Sequence, residues 1–192
     1  MTMNQTIRNL SLQTTVLTFA LGAVVLLATA AACTGKSESA AERGKYLVNA
    51  FGCADCHTPF KLGPNGPEPD QGRMLSGHPE TLAMPPAPKL PPGPWLTTVA
   101  ATNTAWAGPW GVSFTANLTS DPETGLGKWS EQDFVTTIRS GRHLGRGRPI
   151  LPPMPVAALA NLSDPDLRAI FAFLQTLPPI RNRVPQPVPP AQ

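Results

Sequence analysis

The distribution of proline restricts the fold of this chain more than any other feature. Proline accounts for 24 of 192 residues, more than twice the usual ~5%. Residues 58–113 contain twelve of these prolines and seven of the 16 glycines. Because proline fixes φ and lacks an N–H, it interrupts both helices and sheet ladders. We therefore predict a fold that is not strand-rich, with residues 58–113 as a long irregular insert.

The overall composition argues against several classes of protein. Apolar residues make up 41% of the chain and charged residues 14%, which is unlike a charged disordered chain or a membrane bundle. The formal net charge is only +3, and binding to nucleic acid needs a concentrated basic patch. We expect no nucleic-acid partner.

An uncharged apolar run occupies residues 16–32 and is followed by Cys33. Its length and alanine-rich end predict a signal peptide over residues 1–32 and a linker over residues 33–38. Residues 30–33 resemble a bacterial lipobox, so lipidation of Cys33 is predicted, with simple cleavage or an uncleaved anchor as alternatives. All three place the rest of the chain outside the cytoplasm. We expect a protein of the bacterial periplasm, anchored to the membrane.

Three helices are predicted from serine caps and from apolar residues at helical spacing. They account for too little of the chain to bury a large core alone, and a large apolar prosthetic group would remedy this. The predicted fold class is all-α, with about three helices around such a group in a domain over residues 39–180. Residues 181–192 are predicted to form a proline-rich, extended and weakly ordered tail. The helices start at Ser39, Ser130 and Ser163 and end near Gly52, Gly141 and Pro178.

The motif Cys53-Ala54-Asp55-Cys56-His57 predicts the chemistry of the chain. C-x-x-C-H is the attachment sequence for c-type haem. On one helical turn these positions share a face, so Cys53 and Cys56 can form thioethers to the macrocycle while His57 binds iron. A structural zinc site would need further ligands, a thioredoxin-like dithiol would need a βαβ context, and a plain disulfide leaves the histidine unexplained. We predict one covalently attached haem c.

The second axial ligand must come from a distant part of the chain. Met154 is the preferred candidate because prolines at 152, 153 and 155 hold its segment with little loss of entropy. Met84, which precedes two prolines, is the main rival, and an open site is a further alternative. The remaining candidates are Met74, His78 and His143.

Histidine–methionine ligation predicts electron transfer rather than catalysis. A thioether favours Fe(II), and two protein ligands leave no vacancy for a substrate. We therefore expect an electron carrier and not an enzyme. His57 should be neutral and donate its other ring N–H to a backbone carbonyl. The predicted source of that carbonyl is the proline-rich stretch after Thr58.

Four arginines and one histidine lie within residues 139–148. This cluster has three interpretations: a solvated glycine-rich loop, partners for haem propionates, or a docking patch for an acidic redox protein. The tryptophans are interpreted as packing around the haem or within loops. They are Trp95, Trp106, Trp110 and Trp129.

The sequence resembles the class I c-type cytochromes, and in particular the cytochrome c domains of membrane-bound alcohol and sugar dehydrogenase subunits. The resemblance covers residues 40–180 and implies Cys53 and Cys56 as haem attachment sites, with His57 and Met154 as axial ligands. It also implies that the first and last helices cross near the haem edge. The matching segments are Arg43–Val48, Cys53–Pro59, Asn117–Gly125, Pro152–Pro155, Asp164–Leu167 and Phe171–Leu174.

The predicted function is electron transfer between periplasmic or membrane-bound redox partners, one acting as donor and one as acceptor. One alternative is a haem subunit fixed to a dehydrogenase or reductase through its proline-rich surface. Another is a haem-based ligand sensor with an open sixth site.

Overall fold

The computed structural model describes residues 37–190. The predicted signal peptide over residues 1–32 and the predicted lipidation site Cys33 lie outside the described residues. Within residues 37–190, no helix combines the length and apolar character needed to cross a bilayer.

Five α-helices form in the described part of the chain, three of them close to the predicted positions. Ser39 and Ser130 each form a capping box with the acidic residue three positions later, and Ser163 accepts from the backbone N–H of Asp166. The helices are α1 (Ala40–Ala50), α2 (Cys53–His57), α3 (Glu131–Ser140), α4 (Val156–Leu159) and α5 (Asp164–Leu174). Two short 3₁₀ turns cover Gln71–Arg73 and His143–Gly145.

The core lies between α1, α3 and α5. Helix α1 packs against α5, and Leu47 and Val48 of α1 are buried. Helix α3 also packs against α5, and the rings of Phe134 and Phe171 lie 5.6 Å apart between centroids. The remaining buried residues of α5 follow its apolar stripe: Leu167, Ala169, Ile170, Phe173 and Leu174.

The prediction of an all-α fold is wrong, because the structure is mixed and contains two antiparallel sheets. The strands are β1 (Phe60–Gly63), β2 (Gly66–Pro69), β3 (Thr98–Val99), β4 (Ala105–Gly108) and β5 (Gly111–Phe114). One sheet is the hairpin β1–β2, in which Phe60 pairs with Pro69. The other has the order β3–β4–β5, with Ala105 opposite Phe114.

These strands tolerate the surrounding prolines because they are short and lie at edges or next to turns. Both strands of the β1–β2 hairpin are edge strands, where Pro67 and Pro69 need not donate to a second neighbour. Pro64 and Pro109 lie in the turns that join the paired strands. The prediction of an irregular insert over residues 58–113 is therefore wrong where these strands form, whereas residues 79–97 contain no helix or strand.

The insert is fixed to the segment that carries the cysteine–histidine motif. The amide of Asn103 donates to the carbonyl oxygen of Asp55 at 2.7 Å. The backbone N–H of Gly77 donates to the carbonyl oxygen of His57 at 2.8 Å. The hydroxyl oxygen of Thr58 accepts from the backbone N–H of Leu75 at 3.0 Å, and both residues are fully buried. These three hydrogen bonds therefore hold the insert against the segment that carries the motif.

Candidate functional site

The cysteine–histidine motif forms the short helix α2, directly after α1. Gly52 joins the two helices with φ of +62° and ψ of +33°, a left-handed conformation that glycine adopts without a side-chain penalty. Cys53, Cys56 and His57 then occupy positions of one helical turn, as the spacing predicted.

The two cysteines are partly buried free thiols. Burial raises the pKa of Cys53 to about 11, and burial also raises the pKa of Cys56. A redox-active dithiol needs a lowered pKa so that a thiolate is present at neutral pH. Both thiols are therefore neutral at pH 7, unlike the thiolate of such a dithiol.

His57 is held by one backbone contact. Its Nδ1 lies 2.8 Å from the carbonyl oxygen of Ala116, and because a carbonyl only accepts, Nδ1 carries the proton. Burial lowers the pKa of His57, so the ring is neutral with a lone pair on Nε2. The bond to a backbone carbonyl was predicted, but its source lies just after β5 rather than in the stretch that follows Thr58.

A cavity of about 450 Å³ opens beside this histidine. Its volume lies within the ~300–1,000 Å³ of pockets that hold whole small molecules. Cys53, Cys56 and His57 line one part of its wall, and apolar side chains from α3, α5 and the connecting segments line most of the rest. The apolar lining residues include Leu118, Leu126, Phe134, Ile138, Leu159, Leu167, Ile170 and Leu174.

Two of the candidate second ligands line this cavity, Met154 and His143. Met154 is partly buried and packs against the core. Its segment is fixed to β5, because the Ser113 hydroxyl donates to the carbonyl oxygen of Pro152 at 2.6 Å. His143 is exposed and packs edge-on against Trp129, with ring centroids 5.2 Å apart. The other candidates contribute nothing to the cavity wall: Met74, Met84 and His78.

The arginine cluster divides into residues with different surroundings. Arg148 lines the cavity. Arg139 binds Asp164 and the carbonyl oxygens of Ala160 and Leu162, so it joins α3 to the start of α5. Arg142 and Arg146 are exposed and lie outside the cavity wall.

The tryptophans are also separated by the fold. Trp129 lines the cavity, in agreement with a packing role there, whereas the other three do not. Trp95 has 77% of its surface exposed, so it packs neither in the cavity nor in the core.

One part of the site was not predicted from the sequence: the segment 183–187 of the proline-rich tail, which lines the cavity. No local pattern marked these residues, because their position depends on contacts with segments about a hundred residues earlier. Arg183 therefore lies at the site although it is outside the arginine cluster.

The residues of the cavity fit haem c. Two thiols next to a neutral imidazole match the attachment chemistry of the motif. A thioether on the same cavity supplies a second donor suited to haem iron. The large apolar wall suits the macrocycle, and Arg148 and Arg183 suit its carboxylates.

No protein-family model matches this chain. It is 27% identical over 154 residues to the cytochrome c subunit of a quinone-dependent alcohol dehydrogenase from Gluconobacter oxydans, covering 80% of this chain and 25% of that protein. It is 28% identical over 141 residues to the fructose dehydrogenase cytochrome subunit of Gluconobacter japonicus, covering 71% of this chain and 22% of that protein. It is 26% identical over 137 residues to the gluconate 2-dehydrogenase cytochrome c subunit of Pantoea cypripedii, covering 71% of this chain and 23% of that protein.

The chain thus spans a quarter or less of the length of these three relatives. The similarity nevertheless extends over most of this chain and agrees with the motif and the cavity, and cytochrome c relatives imply haem c. Over most of its length, the chain is a homologue of the cytochrome c subunits of alcohol, fructose and gluconate dehydrogenases.

Proposed function

We propose that this chain binds one haem c through Cys53 and Cys56, with His57 and Met154 as the axial ligands, and transfers single electrons between redox partners. The observation that carries the proposal is that one cavity is lined by all three residues of the motif and by Met154, about a hundred residues later. Haem iron, when bound, supplies a one-electron couple between Fe(III) and Fe(II).

The residues of the chain prepare this site in three ways. The carbonyl of Ala116 keeps the proton of His57 on Nδ1, which leaves Nε2 free to donate its lone pair. The thioether of Met154 favours the reduced iron. The apolar wall keeps water out and so limits the solvent reorganisation that accompanies each electron transfer.

Met154 is favoured over its rivals by position and support. Met84 contributes nothing to the cavity wall. His143 does, but its ring is exposed and packs against Trp129. Met154 is partly buried, and Ser113 binds its segment through the carbonyl of Pro152. Ligation by two protein residues makes an electron carrier the favoured function and a ligand sensor the less favoured one.

The proposed redox partners are inferred from the proteins to which the chain is similar. All three relatives described above are named as cytochrome subunits of dehydrogenases. We propose that this chain accepts electrons from a dehydrogenase and passes them to a second redox protein, either as a mobile carrier or as a fixed subunit. Recovery of a stable complex with a catalytic subunit after gentle extraction from membranes would select the fixed subunit.

The proposed location is the periplasm, with a lipid on Cys33 holding the chain at the membrane. This rests on the apolar run and lipobox-like residues of the sequence. Radiolabelled palmitate should remain with the wild-type protein and be absent from the Cys33→Ala variant. A variant that keeps its label would exclude lipidation at this residue.

Haem attachment is tested by expressing the full chain together with a cytochrome c maturation system. The wild-type protein should retain its colour after denaturation and extraction with acid acetone, and its mass should exceed that of the processed polypeptide by one haem. Cys53→Ser and Cys56→Ser should each lose one thioether, whereas Cys33→Ser should keep both. A colourless wild-type polypeptide of unmodified mass would refute the proposal.

A further inference from the structure

The proline-rich tail lines the cavity and is held at both ends of the lining segment. Residues 183–187 all line the cavity wall. At one end, Asn182 is fully buried. At the other, Val188 and Val112 of β5 exchange both backbone hydrogen bonds, at 2.8 and 2.9 Å. The five residues between these points are therefore held against the cavity.

Proline suits a segment that is held at both ends, such as residues 183–187. Pro185 and Pro187 restrict φ, so the segment loses less conformational entropy when it is fixed than a flexible loop would. The contact with β5 is close, because a side chain at Gly111 would collide with the backbone of Val188. The backbone N–H of Arg183 donates to a carboxylate oxygen of Glu80 at 2.7 Å, which fixes the start of the segment.

Two guanidinium groups reach the same cavity from distant parts of the sequence. Arg148 belongs to the loop after α3 and Arg183 to the tail, and both line the wall. Within residues 37–190, neither forms an ion pair with a carboxylate. Both residues are also exposed to solvent, and contact with the wall lowers the pKa of Arg148 by partial desolvation. An anionic partner would stabilise two guanidinium groups placed in this way.

The carboxylate on the same wall, that of Glu123, already has a hydrogen-bond partner. Glu123 accepts from Lys128 at 2.8 Å, and this hydrogen bond is the main cause that lowers the pKa of Glu123, with a smaller contribution from Arg183. Lys128 is thus the main partner of Glu123, and Arg183 interacts with this carboxylate only at longer range. The cavity wall retains two arginines that form no ion pair within residues 37–190.

We propose that the tail completes the cofactor site: residues 183–187 close the mouth of the cavity, and Arg183 together with Arg148 binds the carboxylate groups of haem. This inference rests on the proposed function, since the cavity must hold haem. Arginine suits the role because its planar fork binds a carboxylate through two parallel hydrogen bonds.

Two consequences for the iron follow. Positive charge beside the site stabilises Fe(II) relative to Fe(III), and exclusion of water acts in the same direction. Removing either the charge or the tail should therefore lower the midpoint potential. Neither change removes a predicted axial ligand, so the far-red absorption band of methionine bound to Fe(III) should survive the arginine substitutions.

The test compares matched variants of the mature holoprotein. Arg183→Gln and Arg148→Gln remove a charge from the cavity wall. Arg181→Gln and Arg142→Gln remove the same charge from residues that do not line it. Deletion of residues 183–192 removes the lining segment but keeps Asn182, and deletion of residues 191–192 is its control.

The midpoint potential of each of the six variants is measured by redox titration. We expect a lower potential for Arg183→Gln and Arg148→Gln than for Arg181→Gln and Arg142→Gln, and a lower potential for the longer deletion than for the shorter one. Because a long deletion can impair folding, Val188→Pro, which removes one of the two hydrogen bonds to Val112, supplies an independent release of the tail.

The two proposals fail in different ways. If the wild-type protein carries covalent haem but the cavity variants titrate like their controls, the tail is not part of the site and only this inference is wrong. If the wild-type protein carries no covalent haem, the proposed function fails and this inference fails with it.

Discussion

The α-carbon of Gly44 in α1 lies directly against the carbonyl oxygen of Ala169 in α5. A side chain at Gly44 would collide with this oxygen and with the Cβ of Phe173. Gly44 is itself buried. The absence of a side chain therefore sets how closely α1 approaches α5, and this crossing places α2, with its two cysteines and His57, against the core.

Replacing Gly44 with alanine should destabilise the protein. Alanine gains ~1 kcal/mol over glycine in a helix, but here the backbone of α5 would have to move, and overpacking of this kind costs about 1–3 kcal/mol or more. Because the collision is with backbone atoms of α5, the cost lies at the upper end of this range, and we expect a net loss of about 2 kcal/mol in the free energy of unfolding, measured with urea. Gly93→Ala, at an open position, is the control and should leave the free energy of unfolding unchanged. Equal losses of stability in the two variants would contradict the packing explanation.

Asn182 should be the most sensitive residue of the tail. Its Oδ1 accepts from Arg73 and from the backbone N–H of Glu80, each at 2.9 Å. Its Nδ2 donates to the carbonyl oxygens of Ser76 and His78, at 2.7 and 2.9 Å. These four bonds use the whole capacity of a fully buried amide.

Asn182→Ala leaves the four partners of this amide without their hydrogen bonds, at a cost of about 1–3 kcal/mol for each group that stays buried. We expect a loss of roughly 2–4 kcal/mol after relaxation and entry of water. Asn161→Ala, which removes one exposed bond to Ala157, should lose less than about 1 kcal/mol. A similar loss for both variants in urea denaturation would show that the tail contributes little to stability.

The contact between Arg43 and Asp166 predicts a dependence of stability on pH. The guanidinium Nε lies 3.0 Å from the Asp166 carboxylate and holds its pKa below the ordinary value of 3.8. A carboxyl whose pKa is lowered by folding stabilises the fold above its unfolded pKa and loses that contribution as the pH falls through its folded pKa. The Arg43–Asp166 contribution should therefore be present at pH 7 and vanish below pH 3.8.

Asp166→Asn should be less stable than the wild-type protein at pH 7, and the two urea midpoints should converge below pH 3.8. Arg43→Gln removes the other partner and should show the same convergence. A deficit for Asp166→Asn that persists at low pH would assign its effect to packing or to the lost hydrogen bond from Ser163 rather than to charge.

The sequence was sufficient to predict the helices and the motif because both are local patterns. Capping boxes at Ser39 and Ser130 and the cap at Ser163 depend on residues three positions apart. The cysteines and His57 are separated by a single helical turn. Such patterns can be recognised from a few neighbouring residues. The three main helices accordingly begin one residue after the predicted caps.

The strands and the wall formed by the tail could not be predicted in the same way. Four-residue strands such as β1 and β2 are too short for a period-two pattern, and proline within β2 argued against a strand. The tail depends on pairs such as Asn182 with Ser76, separated by 106 residues. Arg139 lay within the arginine cluster, yet none of its three interpretations described the link that it makes to α5.

The identity of the second axial ligand is the sharpest test of the site. Met154→Ala should abolish the far-red band of methionine bound to Fe(III), allow carbon monoxide to bind the reduced protein, and lower the midpoint potential, since a thioether favours Fe(II). Met84→Ala is the matched control, because Met84 contributes nothing to the cavity wall. His143→Ala separates the remaining candidate from Met154, since both line the cavity. If only His143→Ala changes the absorption spectrum of the haem, His143 is the ligand and Met154 only fills space in the cavity. If none of the three variants changes that spectrum and the wild-type protein binds carbon monoxide, the sixth position is open. The ligand-sensor alternative would then replace electron transfer.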